Sequence, residues 1–384
     1  MNKEILLRSA WQDVNIGDIA HTPGLLAILE KRLPEVKVTV WASVNITVEV
    51  MNLICRRFPG VRIVRGNLDS GEVRAAVSRA DLFLHGSGAC LCGKWELKQY
   101  LEVTGGSFGV WGITYRKQDK EWLDQADFLY FRDGVSLLNA QSDGVCAKHM
   151  DFGPDAAFAA DIADEGRANR FLSDNQLNNK EFVCCVPRLR ITPYWTIRGD
   201  APYNQAADEL NGRNKERDHR HLRTAVTRIL DQTDFKVLVC PEDQTQIAVG
   251  REMIIEKLPE KYRTRVVHRQ NFWLADEAVS VYKKSLALFG NEMHSPIMCV
   301  GNHVPAIVSR WEQQTSKGYM WNDIGLNEWL FDCDAGIDGN RFADTVLDVI
   351  KNNAAAVKKT ERAMNTVNRA YDRMAKHVRA LIHR

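Results

Sequence analysis

At 384 residues the chain is longer than one hydrophobic core usually serves, so two domains are expected. With 45% hydrophobic and 26% charged residues and a net charge of +2, it reads as a globular protein with no electrostatic case for nucleic acid as a partner. The apolar run before Arg8 is too short for a signal-peptide core, and no segment nears the roughly 18 apolar residues of a membrane span. The nine cysteines suggest no disulfide framework, and the Cys90/Cys92 spacing does not fit a zinc knuckle; a cytoplasmic protein with reduced thiols and no metal is expected.

In chain order, Glu4–Leu7 reads as a strand, followed by a turn from Trp11 to Asp18 and a helix beginning near Thr22–Pro23 and running to Lys31. In that turn Gly17 lets the backbone approach a ligand, and Asn15 and Asp18 supply polar groups at a strand's end. A plain turn with Asp18 as a local cap is the competing reading. Val36–Trp41 is a second strand and Val48–Phe58 a second helix; Val61–Val64, Asp81–His85 and Phe108–Trp111 continue the strands, and Phe128–Phe131 is expected to end them. This alternation is that of a doubly wound α/β domain.

Gly86-Ser87-Gly88 opens a glycine-rich turn that reaches Gly93-Lys94 with the spacing of a phosphate loop, but Trp95 stands where that motif needs a hydroxyl, which leaves a glycine turn facing an interdomain cleft. Arg132-Asp133 with Ser136 follows another apolar strand, and the run DFGPDAAF from Asp151 to Phe158 comes after it.

A polar stretch from Asp164 to Lys180 marks a boundary, dividing the chain into residues 1–165, 166–355 and a terminal helix, 356–384. Strands resume at Phe182–Val186 and recur at Lys236–Cys240, Arg265–His268, Ser285–Phe289 and Ala306–Val308. Arg188 and Arg190 follow the first of these and offer bidentate forks to a phosphate or carboxylate. The segment Thr192–His221, with Pro193, Pro202 and Gly212, reads as a long functional or disordered loop. Its Tyr194, Trp195 and Tyr203 suit stacking on a sugar or a local apolar patch.

The richest stretch is Ser285–Arg310: a buried strand, a break at Gly290, a helix over Ser295–Val300 ended by Gly301, and a next strand from Val304 to Val308. Ligands of parallel sheets bind at the carboxyl ends of strands, so Asn291, Glu292, His294 and Ser295 are expected to line a crevice. Capping of the helix by Asn291 or Ser295 is the alternative. In residues 351–384, nine Lys and Arg stand against Glu361 and Asp372, a net of +7, while Met364, Val367, Tyr371, Met374, Val378 and Leu381 form an apolar face. Such a helix either lies on an anionic membrane or packs on its own domain.

The order of Asn15-Ile16-Gly17-Asp18, Gly86-Ser87-Gly88, Arg132-Asp133 with Ser136, Gly153-Pro154-Asp155, Arg190, and His294 with Gly301 and Pro305 resembles the polysaccharide pyruvyl transferase family. The resemblance implies two Rossmann-like doubly wound domains facing across a cleft, similar to the glycosyltransferase-B architecture, with the amphipathic helix at the C-terminus. It implies a role of the exopolysaccharide-biosynthesis kind: phosphoenolpyruvate gives its pyruvyl group to hydroxyls of a sugar or glycan, with no metal or organic cofactor.

In that frame His294 is the general acid or donor ligand and Asp18 the base or acceptor ligand. Asn15, Gly17, Gly86, Ser87, Gly88, Arg132, Arg188, Arg190, Asn291, Ser295 and Lys317 are substrate contacts. The family usually has Arg-x-His where this chain has Glu292-Met293-His294, and an acid there repels a trianionic donor by roughly 1 kcal/mol or more. Arg188, Arg190, Arg310 or Lys317 then compensates, or the donor differs. Two further readings keep the fold: glycosyl transfer or glycoside cleavage by a Glu292/Asp18 pair, and a glycan- or nucleotide-binding protein without turnover. The sequence leaves homo-oligomerisation open.

Overall fold

The computed structural model describes residues 3–9, 11 and 13–383. Gln12 of the first turn and Arg384 of the basic tail lie outside the described residues. The chain forms two compact units: residues 1–13, 17–162 and 365–384 make the first, and residues 14–16 with 163–364 make the second.

The first unit is built on a seven-stranded, all-parallel sheet: β1 (Glu4–Arg8), β2 (Lys37–Ala42), β3 (Arg62–Arg65), β4 (Leu82–His85), β5 (Phe108–Ile113), β6 (Phe128–Phe131) and β7 (Met150–Phe152), in the order β3-β2-β1-β4-β5-β6-β7. Runs such as LFLH and FGVWGI are buried along their whole length, as strands covered by helices on both faces must be. The second unit repeats the plan with six parallel strands: β8 (Phe182–Val186), β9 (Lys236–Val239), β10 (Val266–His268), β11 (Leu288–Gly290), β12 (Ala306–Arg310) and β13 (Leu330–Asp332), ordered β10-β9-β8-β11-β12-β13. In each sheet the order reverses beside the first strand, between β1 and β4 and between β8 and β11, which is where such sheets bind ligands.

Several expectations are corrected. The strand series of the first unit does not end at Phe131, because β7 pairs with β6. The first helix starts at Ile16, not near Thr22, and keeps Pro23 inside it; Gly24, the next residue, is a packing site, since a Cβ there would lie 2.1 Å from the Ala156 carbonyl oxygen. Likewise Gly290 is the last residue of β11 rather than a break, with Val186 O 2.3 Å from where its Cβ would be.

Most of the supposed loop from Thr192 to His221 belongs to a 28-residue helix, Gln205–Gln232. Asn204 caps it by accepting from Ala207 N, and Leu222, Ala225, Val226, Ile229 and Leu230 bury one face. Both prolines precede the helix, so only Gly212 weakens it, at about 1 kcal/mol.

The terminal helix spans Asn353–Ile382. Its apolar face is already covered: Val367, Tyr371, Met374 and Val378 are fully buried, Tyr371 Oη donates to Asp155 O at 2.6 Å, and Arg32 and Arg379 pair with Asp372 and Glu35. That burial corrects the membrane-surface reading, since the apolar stripe has no free area to insert. No helix among the described residues is long and apolar enough to cross a membrane.

Candidate active site

In the second unit, the carboxyl ends of β8, β9 and β11 bring one polar cluster together. Arg188 follows β8, Glu242 and Asp243 follow β9, and Asn291 and Glu292 follow β11 directly. The helix His294–Gly301 starts beside them. Residues 14–16 join the same place through an isolated antiparallel bridge: Asn15 bridges Asp243, Ile16 N donates to Glu242 O at 2.9 Å, and Gln244 N to Val14 O at 3.0 Å.

Glu242 organises the histidine. One of its oxygens lies 3.1 Å from His294 Nδ1, and the other accepts from Ser295 N at 2.5 Å. The helix is thus capped by a carboxylate from another strand, not by Asn291 or Ser295. Those two side chains are engaged in the interior: Asn291 accepts from Ser309 Oγ at 2.5 Å and donates to Asp218 O at 3.0 Å, and Ser295 Oγ accepts from Tyr282 Oη at 3.1 Å. An acceptor oxygen at Nδ1 favours the tautomer with its proton on that nitrogen.

Glu292 sits at the centre, 1% exposed. It accepts from Arg188 Nη1 at 3.0 Å and from Gln246 Nε2 at 2.8 Å, with Lys317 Nζ at 3.9 Å. Gln246 also donates to Asp243 at 3.0 Å and accepts the Glu242 amide at 2.7 Å, so it ties the three acids together. Two cations therefore face three buried carboxylates. Burial, above all, raises the pKa of Glu242 and Glu292, which also share a hydrogen bond; Asp243 is pushed up to about 6 by burial and by the charge of Glu292. Each of the three therefore keeps its proton to a higher pH than an ordinary carboxylate does. A cavity of about 870 Å³ is lined by Gln244 and Thr245, which flank this cluster, with Thr196, Ile197, Arg251 and His268.

The remaining expected contacts divide. Arg190 is not available as an anion anchor: Asp218 takes it in two bonds at 2.6 and 3.1 Å, and Asp334 lies 2.7 Å away. Arg310 is held by Asp332 and Tyr319. Of the four proposed compensators, Arg188 and Lys317 are the ones at Glu292. Of Tyr194, Trp195 and Tyr203, the last two meet edge to face at 5.7 Å, as members of a local apolar patch would.

In the first unit, Asp18 lies 3.9 Å from His21, His21 lies 3.4 Å from Asp155, and Arg132 donates to Asp155 at 3.0 Å. Asp18 and Arg132 thus belong to one chain of polar contacts, beginning just past Gly17. Gly86, Ser87 and Gly88 are buried rather than facing open space. Ser87 Oγ donates to Trp111 O at 3.2 Å and accepts from Ala156 N at 2.9 Å, and a Cβ on Gly86 would meet Ser9 Oγ at 2.3 Å. These three residues lock the loop to its neighbours.

Sequence reasoning missed Glu242, Asp243 and Gln246. Their signal was present as Pro241-Glu242-Asp243-Gln244-Thr245-Gln246, which follows an apolar strand immediately.

No curated protein matches the chain in sequence. Among solved structures, a candidate UDP-N-acetylglucosamine 2-epimerase of Listeria monocytogenes superposes with a TM-score of 0.64 at 12% identity, covering 99% of this chain and 96% of that one. The UDP-N-acetylglucosamine 2-epimerase of Neisseria meningitidis bound to UDP-GlcNAc gives 0.55 at 8% identity (98% and 99% covered), and the E. coli ADP-heptose heptosyltransferase II gives 0.53 at 11% (92% and 99%). At such identities the likeness concerns the fold, the two-domain α/β architecture of these sugar-nucleotide enzymes. The sequence model of the polysaccharide pyruvyl transferases matches residues 15–313, a span that includes Arg188, Glu242, Asp243, Gln246, Glu292 and His294 of the second unit's cluster but not Lys317, and the chain belongs to the polysaccharide pyruvyl transferase family.

Proposed function

We propose that the chain is a cytoplasmic transferase that moves the pyruvyl group of phosphoenolpyruvate onto hydroxyls of a sugar or glycan, without a metal or organic cofactor. A buried acid protonates the donor's methylene carbon, which makes the neighbouring carbon electrophilic. One sugar hydroxyl adds there and loses its proton to a base, and a second hydroxyl displaces phosphate to close the ketal. His294 is the general acid or donor ligand, oriented by Glu242. Arg188 and Lys317 meet the donor's negative charge, Asn15 positions substrate, and Asp18 serves as base or acceptor ligand.

The observation that supports this most is the setting of Glu292. An acid in place of the usual arginine argues against a trianionic donor only while it is ionised. Here burial raises its proton affinity, and Arg188 and Lys317 stand beside it. Those two cations offset the repulsion that an acid at this position exerts on the donor, roughly 1 kcal/mol or more at contact distance. Reading Glu292 with Asp18 as a glycoside-cleaving pair has less support, because that carboxyl is committed to Arg188, Gln246 and Lys317.

The test is phosphate release from phosphoenolpyruvate with a panel of sugars and sugar nucleotides, followed by mass analysis of the sugar product. Phosphate release matched by a pyruvylated sugar is expected. Transfer of a glycosyl group with the donor untouched would overturn the proposal.

A further inference from the structure

The loop after β4 carries two thiols that the proposed reaction does not use. Cys90 Sγ and Cys92 Sγ are 3.4 Å apart. This closeness is built by the backbone: Cys92 N donates to Cys90 O at 2.9 Å, folding the three residues into a tight turn. Between the cysteines, Leu91 N donates to the buried Asp119 at 3.0 Å, and just after them Gly93 N donates to the buried His85 at 3.1 Å. The middle of the turn and the residue after it are therefore held while the sulfurs lie close together.

Access separates this pair from the five buried cysteines, and the 3.4 Å approach of its sulfurs marks it out from the exposed Cys55 and Cys146. Cys92 is exposed and Cys90 half-buried, whereas Cys184, Cys185, Cys240, Cys299 and Cys333 are buried; Cys55 and Cys146 are exposed. The hydrogen bond from Cys92, above all, and then the charges of Arg116 and Lys94 bring the Cys90 thiol down to about 7, so much of it is thiolate at neutral pH.

We infer that Cys90 and Cys92 are a thiol modification site that closes reversibly to an intramolecular disulfide, with a hydroperoxide as oxidant. The Cys90 thiolate attacks a peroxide oxygen; the O–O bond breaks, and water or alcohol leaves with the proton. The Cys92 sulfur then attacks Cys90 sulfur, forming the S–S bond as the S–O bond breaks and a second water departs. Two thiols give up two electrons and two protons, and the peroxide takes both. The sulfurs need only close from 3.4 Å to about 2.05 Å. A smaller thiol pair of this kind is reset by thiol–disulfide exchange with a dithiol reductant.

The test uses the full chain. It is treated with hydrogen peroxide at neutral pH, its remaining thiols are alkylated, and it is cut with trypsin, which releases Ala80–Lys94 with Cys90 and Cys92 as its only cysteines. The expected result is that peptide lighter by two hydrogens and unalkylated, with full alkylation restored by dithiothreitol. Cys90→Ser and Cys92→Ser each abolish the loss of two hydrogens and gain oxygen instead. Two results overturn the inference: both thiols staying alkylatable at the rates of Cys55 and Cys146, or the peptide carrying only added oxygens in the native chain.

Discussion

Glu242 and His294 are joined twice: the carboxylate lies 3.1 Å from Nδ1 of the histidine ring and also caps the helix that begins with that histidine, through the Ser295 amide. Orientation and local folding therefore depend on the same side chain. Glu242→Gln keeps the size and removes the charge. Its expected cost is about 1.5–3 kcal/mol in stability, as for hydrogen bonds to charged groups. Phosphate release from phosphoenolpyruvate is expected to fall about 10- to 100-fold with KM little changed, as when the partner that orients a functional histidine is lost. Denaturant melts and steady-state kinetics check both; unchanged kcat would remove Glu242 from the mechanism.

Asp243 carries a pH signature. Its pKa is about 6 in the folded chain against an ordinary 3.8, because burial and Glu292 favour the neutral form. Its proton thus stabilises the fold fully below about pH 4, and that contribution, of order 3 kcal/mol, is lost as pH rises through 6. Asp243→Asn cannot titrate. The native chain should gain on the variant as pH drops from 7 to 4, in thermal melts of both. A gap that widens with rising pH would contradict the assignment.

Arg190 should behave as a strut. Its guanidinium is 5% exposed and satisfied by Asp218, itself 2% exposed, so Arg190→Ala leaves that buried carboxylate with Arg217 alone at 3.2 Å and should cost about 2–4 kcal/mol. Asp218→Asn should destabilise in the same direction. Neither change should alter the affinity for phosphoenolpyruvate in the folded fraction, as calorimetry can establish; a specific loss of affinity in Arg190→Lys would restore it as an anchor.

The terminal helix should act as part of the first unit's core. Val367→Ala and Met374→Ala are expected to cost about 2–5 kcal/mol, the Val367 change at the low end, and Tyr371→Phe about 1 kcal/mol for its bond to Asp155 O. With the apolar face buried, sedimentation with anionic vesicles should show only weak, salt-sensitive association. Salt-resistant binding would mean that the helix leaves its seat.

What could be seen in the chain alone followed from how each element is stabilised. Strands buried on both faces are continuous apolar runs, and Phe182–Val186 stands in the structure residue for residue as expected. The helix Gln205–Gln232 was hidden because its first turns are polar and its buried face begins only at Ala207, with Gly212 inside it. That error concealed Asp218, and so made Arg190 look like a free anion anchor. Glu242 escaped for a different reason: two acids after a strand look like a surface turn until the sheet order sets β9 near β11 and brings residues 52 positions apart into contact. His294 and Glu292, by contrast, were legible because polar types crowd between two buried runs.

The most direct measurement is titration calorimetry of phosphoenolpyruvate into the native chain and Lys317→Met at pH 7, which needs no knowledge of the acceptor. The account predicts saturable binding by the native chain, weakened about tenfold or more, roughly 1.4 kcal/mol, when Lys317 loses its charge. Absence of binding to the native chain, or equal binding by both, would contradict it.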